Sequence, residues 1–376
     1  MSCRRIAFVV NNSEYFVSHR IAIGLRLLAL GYEVHVVAPG SCPKELAQQG
    51  FIYHTVSMSR KGKSPLGELV TIYAIYCVFR KIKPAIVHLV TIKPYLYGGI
   101  AARLAGVRAV VSAVAGLGIL FSQKRYKFLI LRAMLWPMYR IAFGHPLQMV
   151  IFQNHDDKKL LKKFASLSEE KTIVIRGAGV QLAQYPYLPE PQGRAVVSFA
   201  SRLLKDKGVV EFVEASRILR QRGVAASFWL IGMPDTGNAN TVTQAQLESW
   251  EREGLVKCLG YRKDIAYLFS QSHIVTLPSF YGEGLPKVLI EAAACGRAVV
   301  TTDHPGCRDA IEAHVTGLLV PIKDSTALAD AIEWLIANVE NRKQFGEAGR
   351  RLAENVFDIE KVVDAHINIY KKLLKC

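Results

Sequence analysis

Short apolar runs alternate with amphipathic stretches along almost the whole chain. RIAFVV opens the pattern as a strand, SHRIAIGLRLLALGY follows as an amphipathic helix closed by Gly31, and EVHVVAP is the next strand. AIVHLV, AVVSAV and MVIFQN share the same apolar character. After a break the alternation resumes with AVVSFASR, SFWLIG, IVTLPS, AVVTTD and TGLLVP, each leading into a helical stretch. Strands that are apolar on both faces and separated by helices predict parallel sheets covered on both sides. Two such series predict an α/β protein with two doubly wound, Rossmann-like domains. The break is GVQLAQYPYLPEPQGR, residues 179–194, with three prolines and three glutamines. The expected division is a first domain over 1–180, a linker over 181–193, a second domain over 194–355 and a last helix over 356–376 that returns to the first domain. Open parallel sheets bind ligands beyond the C-terminal ends of their strands. Two domains facing across a deep cleft would therefore carry their chemistry on the loops that follow strands.

The totals narrow the class. A chain of 376 residues exceeds what one core accommodates, so two domains are the default. No apolar run reaches the length of a spanning helix; the longest stretch free of both charge and histidine, Ala109 to Gln123, is too short. The N-terminus runs straight into a strand pattern, and no signal peptide is expected. Seven cysteines are scattered without a Cys-x-x-Cys pair, which fits reduced thiols and suggests no zinc site. The net charge of +17 is one-sided. Residues 1–180 hold 25 Lys plus Arg against 8 Asp plus Glu, whereas residues 181–376 hold 23 of each. A polyanionic surface should therefore face the first half, either nucleic acid or an anionic membrane.

Two loops of the second half can carry chemistry. Beyond the strand AVVSFA lies SRLLKDKG, where Arg202 and Lys207 precede Gly208 at a helix start. Two cations beside a helix N-terminus suit a diphosphate, although a solvated basic turn looks the same in sequence. The strand HIVTLPS ends in FYGEGLPKVLIE. Pro286 suits the first helical position, with Glu283 just before the helix and Glu291 about a turn and a half inside it. The backbone N–H groups of Gly284 and Leu285 and the helix dipole could hold an anion. Carboxylates on both sides of an anion site make sense if the ligand is a nucleotide sugar, with a hydroxyl-rich ring on either side of a diphosphate. An ordinary acidic first turn is the plainer alternative.

These stretches resemble a known family. FYGEGLPKVLIEAAACGRAVVTTD is similar to the Glu-x7-Glu motif of glycosyltransferase family 4, retaining enzymes of GT-B fold, and FASRLLKDKGV to that family's Arg and Lys phosphate motif. VIRGAGV resembles the strand and loop that end its N-terminal domain, with Gln181 where an acidic residue is common. FVSHR, HLVTIKPYLYGGIAARLAGV and AGLGILF look most like bacterial transferases that extend sugars on undecaprenyl diphosphate. By this resemblance Arg202 and Lys207 would hold the donor diphosphate, Glu291 the ribose, and Glu283 would lie near the donor sugar in a catalytic role. Gly284, Leu285 and Pro286 would touch the phosphates and sugar through their backbone, and Tyr261 and Arg262 would lie near the base. The loop from Asn11 to Phe16, with Asn12 and Ser13, would close on the sugar; many relatives have a glycine pair there, and this chain has Asn11 and Asn12. His19 and Lys93 are acceptor-side candidates. Ala115 stands near a place where many relatives carry a histidine, so that role stays unassigned.

No Asp-x-Asp motif occurs, and two cations with a helix N-terminus can neutralise a leaving diphosphate, so no metal and no cofactor are expected. In residues 117–145, Lys124, Arg125, Lys127, Arg132 and Arg140 are interleaved with Trp136 and other apolar side chains. That composition suits a helix lying in a membrane interface, with Arg60, Lys61, Lys63, Arg80, Lys81 and Lys83 adding charge. A core helix with solvated cations is the alternative. No nucleic-acid-binding signature is present. The expectation is a cytoplasmic transferase, peripheral on the inner face of the cytoplasmic membrane. It would move a sugar from a UDP-hexose or UDP-N-acetylhexosamine to a polyprenyl-diphosphate-linked saccharide in surface polysaccharide assembly. Its rivals are a nucleotide-sugar epimerase of the same fold and a membrane-bound scaffold with a degenerate site. A glycoside hydrolase using Glu283 and Glu291 fits poorly, because two residues on one strand–helix junction do not face each other across a bond.

Overall fold

The structure, a computed structural model, describes residues 4–58, 65–122 and 126–375. Arg60, Lys61, Lys63, Lys124 and Arg125 lie outside the described residues. The chain forms two compact units. One runs to Ala178 and takes in the chain again from Glu360, and the other is Gly179–Ile359.

The first unit is a seven-stranded parallel sheet: β1 (Arg5–Val10), β2 (Glu33–Ala38), β3 (Ile52–Thr55), β4 (Ile86–Val90), β5 (Ala109–Val114), β6 (Gln148–Phe152) and β7 (Thr172–Val174), in spatial order β3-β2-β1-β4-β5-β6-β7. Between β1 and β2 lie α1 (Ser13–His19) and α2 (Ile21–Ala29), which break at Arg20 where the sequence pattern suggested one helix. The sheet is covered further by α3 (Lys44–Gln48), α4 (Pro65–Ile82), α5 (Gly99–Ala105), α6 (Gly118–Ser122), α7 (Tyr126–Ala142) and α8 (His155–Ala165). The second unit is a six-stranded parallel sheet: β8 (Ala195–Ala200), β9 (Ala226–Ile231), β10 (Lys257–Gly260), β11 (Ile274–Leu277), β12 (Ala298–Thr302) and β13 (Gly317–Val320), in order β10-β9-β8-β11-β12-β13. Its helices are α9 (Val209–Gln221), α10 (Gln244–Arg252), α11 (Ile265–Ser270), α12 (Lys287–Ala294), α13 (Ser325–Ala337) and α14 (Val339–Leu352). The central strands are buried along their whole length, which is why they read as unbroken apolar runs. In both sheets the strand order reverses direction once, between β1 and β4 and between β8 and β11. At such a switch point the loops diverge to either side and leave a crevice.

Residues 181–193 do not hang free. The Tyr187 ring lies against Gly296, at a backbone φ of +67° where an added Cβ would meet the ring at 2.2 Å. The buried Arg297 donates to the Leu188 carbonyl at 2.9 Å, and Arg342 forks onto Glu190 at 2.9 and 2.8 Å. The segment is a strap bound to the second unit.

The last helix, α15 (Ile359–Leu374), packs on the first unit's sheet. The Tyr370 hydroxyl is hydrogen-bonded to His88 Nδ1 on β4, His88 stacks on His366 at 5.6 Å, and Arg26 on α2 pairs with Glu360 and Asp364. Burial holds both imidazoles below their ordinary pKa; the charge of Arg20 adds to this, and His366 falls to about 3. The folded state therefore binds fewer protons than the unfolded state once the pH drops below about 6.5, the unfolded value. Stability is lost from there downward. Between pH 7 and pH 5 His366 alone should remove about 2 kcal/mol. Thermal melting at the two pH values checks this. The loss should shrink in His366→Leu, and an undiminished loss would show that the imidazole does not titrate with unfolding.

Candidate functional site at the strand ends

The second sheet's switch point organises the site. The loop after β8 carries Arg202 and Lys207, and the loop after β11 carries Glu283 and leads into α12. The two loops are stitched together: the Phe280 N–H donates to the Asp206 carbonyl at 2.9 Å. Gly208 makes the approach possible. Its φ is +83°, and a Cβ there would sit 2.2 Å from the Pro278 carbonyl oxygen. Gly306, on the loop after β12, is in the same position against Glu283 and Gly284, whose carbonyls a Cβ would meet at 2.7 and 2.5 Å.

Lys207 Nζ lies 2.5 Å from Glu283 Oε2, with side-chain exposures of only 12% and 11%. The Ser279 hydroxyl donates to Glu283 Oε1 at 2.8 Å, and the ammonium sits over the Tyr281 ring at 5.3 Å. The carboxylate is thus fixed on both oxygens. The thiol of Cys307, buried near Glu283, is pushed up to about 12 by burial and then by that charge. Arg202 is more open, with half its side chain exposed, and its Nη1 donates to Asp235 at 2.8 Å. An ion pair that exposed adds little stability, so its effect is to aim the guanidinium. Asp235 comes from the loop after β9, which runs along the Arg202 loop: Lys205 N–H donates to the Asn240 carbonyl and Asn240 Nδ2 to Asp206 Oδ2, each at 2.8 Å.

Pro286 is the N-cap of α12 and stands one place ahead of the expected first helical position. Its φ of −64° suits either place, but its ψ of 122° is extended. Gly284, Leu285 and Pro286 are buried rather than presented at the surface. Glu291 is buried one turn further on. The Tyr185 hydroxyl donates to its Oε1 at 2.7 Å, and Lys287 Nζ lies 3.4 Å from the same oxygen. Tyr261 and Arg262 follow β10, the edge strand; Tyr261 is exposed, and Arg262 is turned onto Asp264 at 2.8 and 2.5 Å. The structure therefore gathers Arg202, Lys207, Glu283, Glu291 and residues 284–286 on the two switch-point loops and α12, with Tyr261 and Arg262 two strands away. Asp235 and Tyr185 carry no motif in the sequence. Asp235 sits in a Gly- and Asn-rich loop, and Tyr185 sits in the proline-containing break between the two series of strands.

The first sheet's switch point holds other candidates. Asn12 follows β1 and caps α1, accepting from the Glu14 N–H at 2.8 Å, and Ser13 is the first residue of that helix. Lys93 follows β4 and is paired with Glu68 at 2.7 Å. Thr91, just before it, has φ +75°, a strained value for a β-branched residue. His19 lies at the far end of α1, stacked on Tyr15 at 4.1 Å. On α7, the Arg132 Nε donates to the Leu120 carbonyl at 2.8 Å, Trp136 receives the Arg140 guanidinium at 5.6 Å, and Lys127 lies over Phe128 at 5.2 Å. Among the described residues, no helix is long and apolar enough to cross a membrane.

Because the Lys207–Glu283 pair is nearly dry, removing one partner strands the other's charge, a loss of about 3 kcal/mol or more. Lys207→Met should therefore lower the melting temperature further than Lys207→Met combined with Glu283→Gln. Equal or additive losses would mean that the two groups do not depend on each other.

Two family models match the two units separately. The family model described as glycosyl transferases group 1 matches residues 184–352, and the one described as glycosyl transferase 4-like matches residues 5–154. The N,N'-diacetylbacillosaminyl-diphospho-undecaprenol alpha-1,3-N-acetylgalactosaminyltransferase of Campylobacter jejuni is 26% identical over 385 residues, 99% of either chain. The UDP-Gal:alpha-D-GlcNAc-diphosphoundecaprenol alpha-1,3-galactosyltransferase of Escherichia coli is 23% identical over 322 residues, 82% of this chain and 80% of that one. Among solved structures, a glycosyltransferase from Rickettsia africae superposes with a TM-score of 0.81 at 20% identity, covering the whole of both chains.

Proposed function

From a chain that belongs to the glycosyltransferases, 4-like over residues 5–154 and group 1 over residues 184–352, we propose a retaining transfer. The sugar moves from a nucleoside diphosphate donor, a UDP-hexose or UDP-N-acetylhexosamine, to a hydroxyl of a polyprenyl-diphosphate-linked saccharide. The observation that carries it is the joint position of Lys207, Glu283 and Glu291 on the switch-point loops and α12 of the second sheet. The printed names of the two relatives support the substrate class, since both act on undecaprenol-linked diphospho-sugars and one takes UDP-Gal.

In this scheme Glu291 accepts hydrogen bonds from the ribose diol. Lys207 and Arg202 face the diphosphate, and their charges offset the negative charge that develops as it leaves, with the N-terminus of α12 adding to them. Lys207 still has two N–H donors beyond the one given to Glu283. The Glu283 carboxylate, held by Lys207 and Ser279, keeps a fixed negative charge near the anomeric carbon as that carbon turns electron-poor. The acceptor oxygen attacks from the face the diphosphate leaves. One carbon–oxygen bond breaks as the other forms, the acceptor's proton passes to the departing phosphate, and the configuration is retained. Two cations and a helix end do the neutralising that paired carboxylates and a metal do elsewhere, so the transfer runs without metal.

The first unit supplies a surface for the lipid side. On α7, Tyr126, Leu129, Ile130 and Met134 are exposed, Met134 to 70%. On α4, Leu66, Leu69, Val70 and Tyr73 form a second exposed apolar stripe at helical spacing. With the basic excess of residues 1–180, this composition suits an anionic bilayer surface.

The test is an assay with UDP-sugars and a polyprenyl-diphosphate-linked saccharide in the presence of a chelator. We expect an α-linked product, undiminished by the chelator, and a fall of about a hundredfold in kcat for Glu283→Ala, assayed well below a melting temperature that drops with the loss of its ion pair. An inverted product, or epimerised donor in the absence of acceptor, would contradict it.

A further inference from the structure

We infer that Tyr185 is a positioning residue for the donor nucleotide: its hydroxyl, donating to Glu291 Oε1 at 2.7 Å, sets the orientation in which that carboxylate meets the ribose. The inference rests on the donor-site assignment proposed above.

A glutamate on a helix can adopt several rotamers, and freezing one before the ligand arrives removes an entropic cost from binding. Two groups restrain Glu291, and both act on Oε1, so Oε2 is the oxygen left to accept from a diol. Lys287 contributes little to this. It lies one turn back on the same helix, at 3.4 Å, on a flexible stem. Tyr185 is the rigid partner. Its carbonyl accepts from Arg350 Nη1 at 2.8 Å, and the same nitrogen donates to the Ala294 carbonyl at the end of α12 at 2.7 Å. Tyr185 is therefore tied to α12 through both its backbone and its hydroxyl. The residues after it are held as firmly, by Gly296, Arg297 and Arg342. A strap pinned this closely delivers one hydroxyl to one carboxylate oxygen. Burial, and then the charge of Glu291, push the Tyr185 pKa up, so the hydroxyl keeps its proton and remains a donor.

Calorimetric titration of UDP, GDP, ADP and CMP, without metal, into the wild type, Tyr185→Phe, Glu291→Ala and the double variant tests this. Phenylalanine keeps the ring, so the melting temperature should stay near that of the wild type. Tyr185→Phe should weaken nucleotide binding about three- to tenfold, the scale of one hydrogen bond. Added to Glu291→Ala, it should cause no further loss. A ring that only packs the strap would leave affinity unchanged, or weaken binding equally in both backgrounds. Either result overturns the positioning role, and the donor site stands as long as Glu291→Ala binds more weakly than the wild type. No binding of any of the four nucleotides to the wild type, or full affinity in Glu291→Ala, overturns the donor site and this inference with it.

Discussion

The nearly dry ion pair between Lys207 and Glu283 is the contact on which the rest of the site depends. Neither group could sit there alone, because an unpaired charge at that depth is strongly disfavoured. Their meeting requires the loops after β8 and β11 to touch, and Gly208 allows it by letting the Pro278 carbonyl lie where any side chain would stand. A parallel sheet brings every strand–helix loop out at one end, and the reversal of strand order beside β8 opens the crevice there. Charge, backbone conformation and topology therefore bear on a single point.

Around that pair the carboxylates do two kinds of work. Asp235 turns the half-exposed Arg202, and Glu283 anchors Lys207. On the proposed function, the cations that would meet a diphosphate are thus held in place by internal counter-ions before any ligand arrives. That is a form of preorganisation: the ligand finds the donors already aimed, and the site gives up some attraction in return for less reordering. Glu291 is treated in the same manner by Tyr185.

Much of this was legible in the sequence, and the reasons are specific. The apolar runs from RIAFVV to TGLLVP gave away the strands because a parallel strand buried on both faces has no polar face to show. Arg202, Lys207, Glu283 and Glu291 could be found because each lies within a few residues of a strand end or helix start that the pattern already marked. Asp235 and Tyr185 could not be found so, because what matters in them is a partner 33 or 106 residues away. The three prolines of residues 181–193 signalled a break in the alternation, but not the arginines that bind the segment down. Pro286 was misplaced by one position because proline's fixed φ serves the N-cap as well as the first turn.

On the proposed function, the strand-end site of the second unit takes a nucleoside diphosphate sugar without the help of a metal. Thermal melting of the purified protein with UDP, GDP, ADP and CMP in large excess, with a chelator present, tests it most directly. A ligand at 100 times its Kd stabilises the folded state by about 2.7 kcal/mol, which amounts to several degrees. Such a shift is expected with UDP. No shift with any of the four would contradict it.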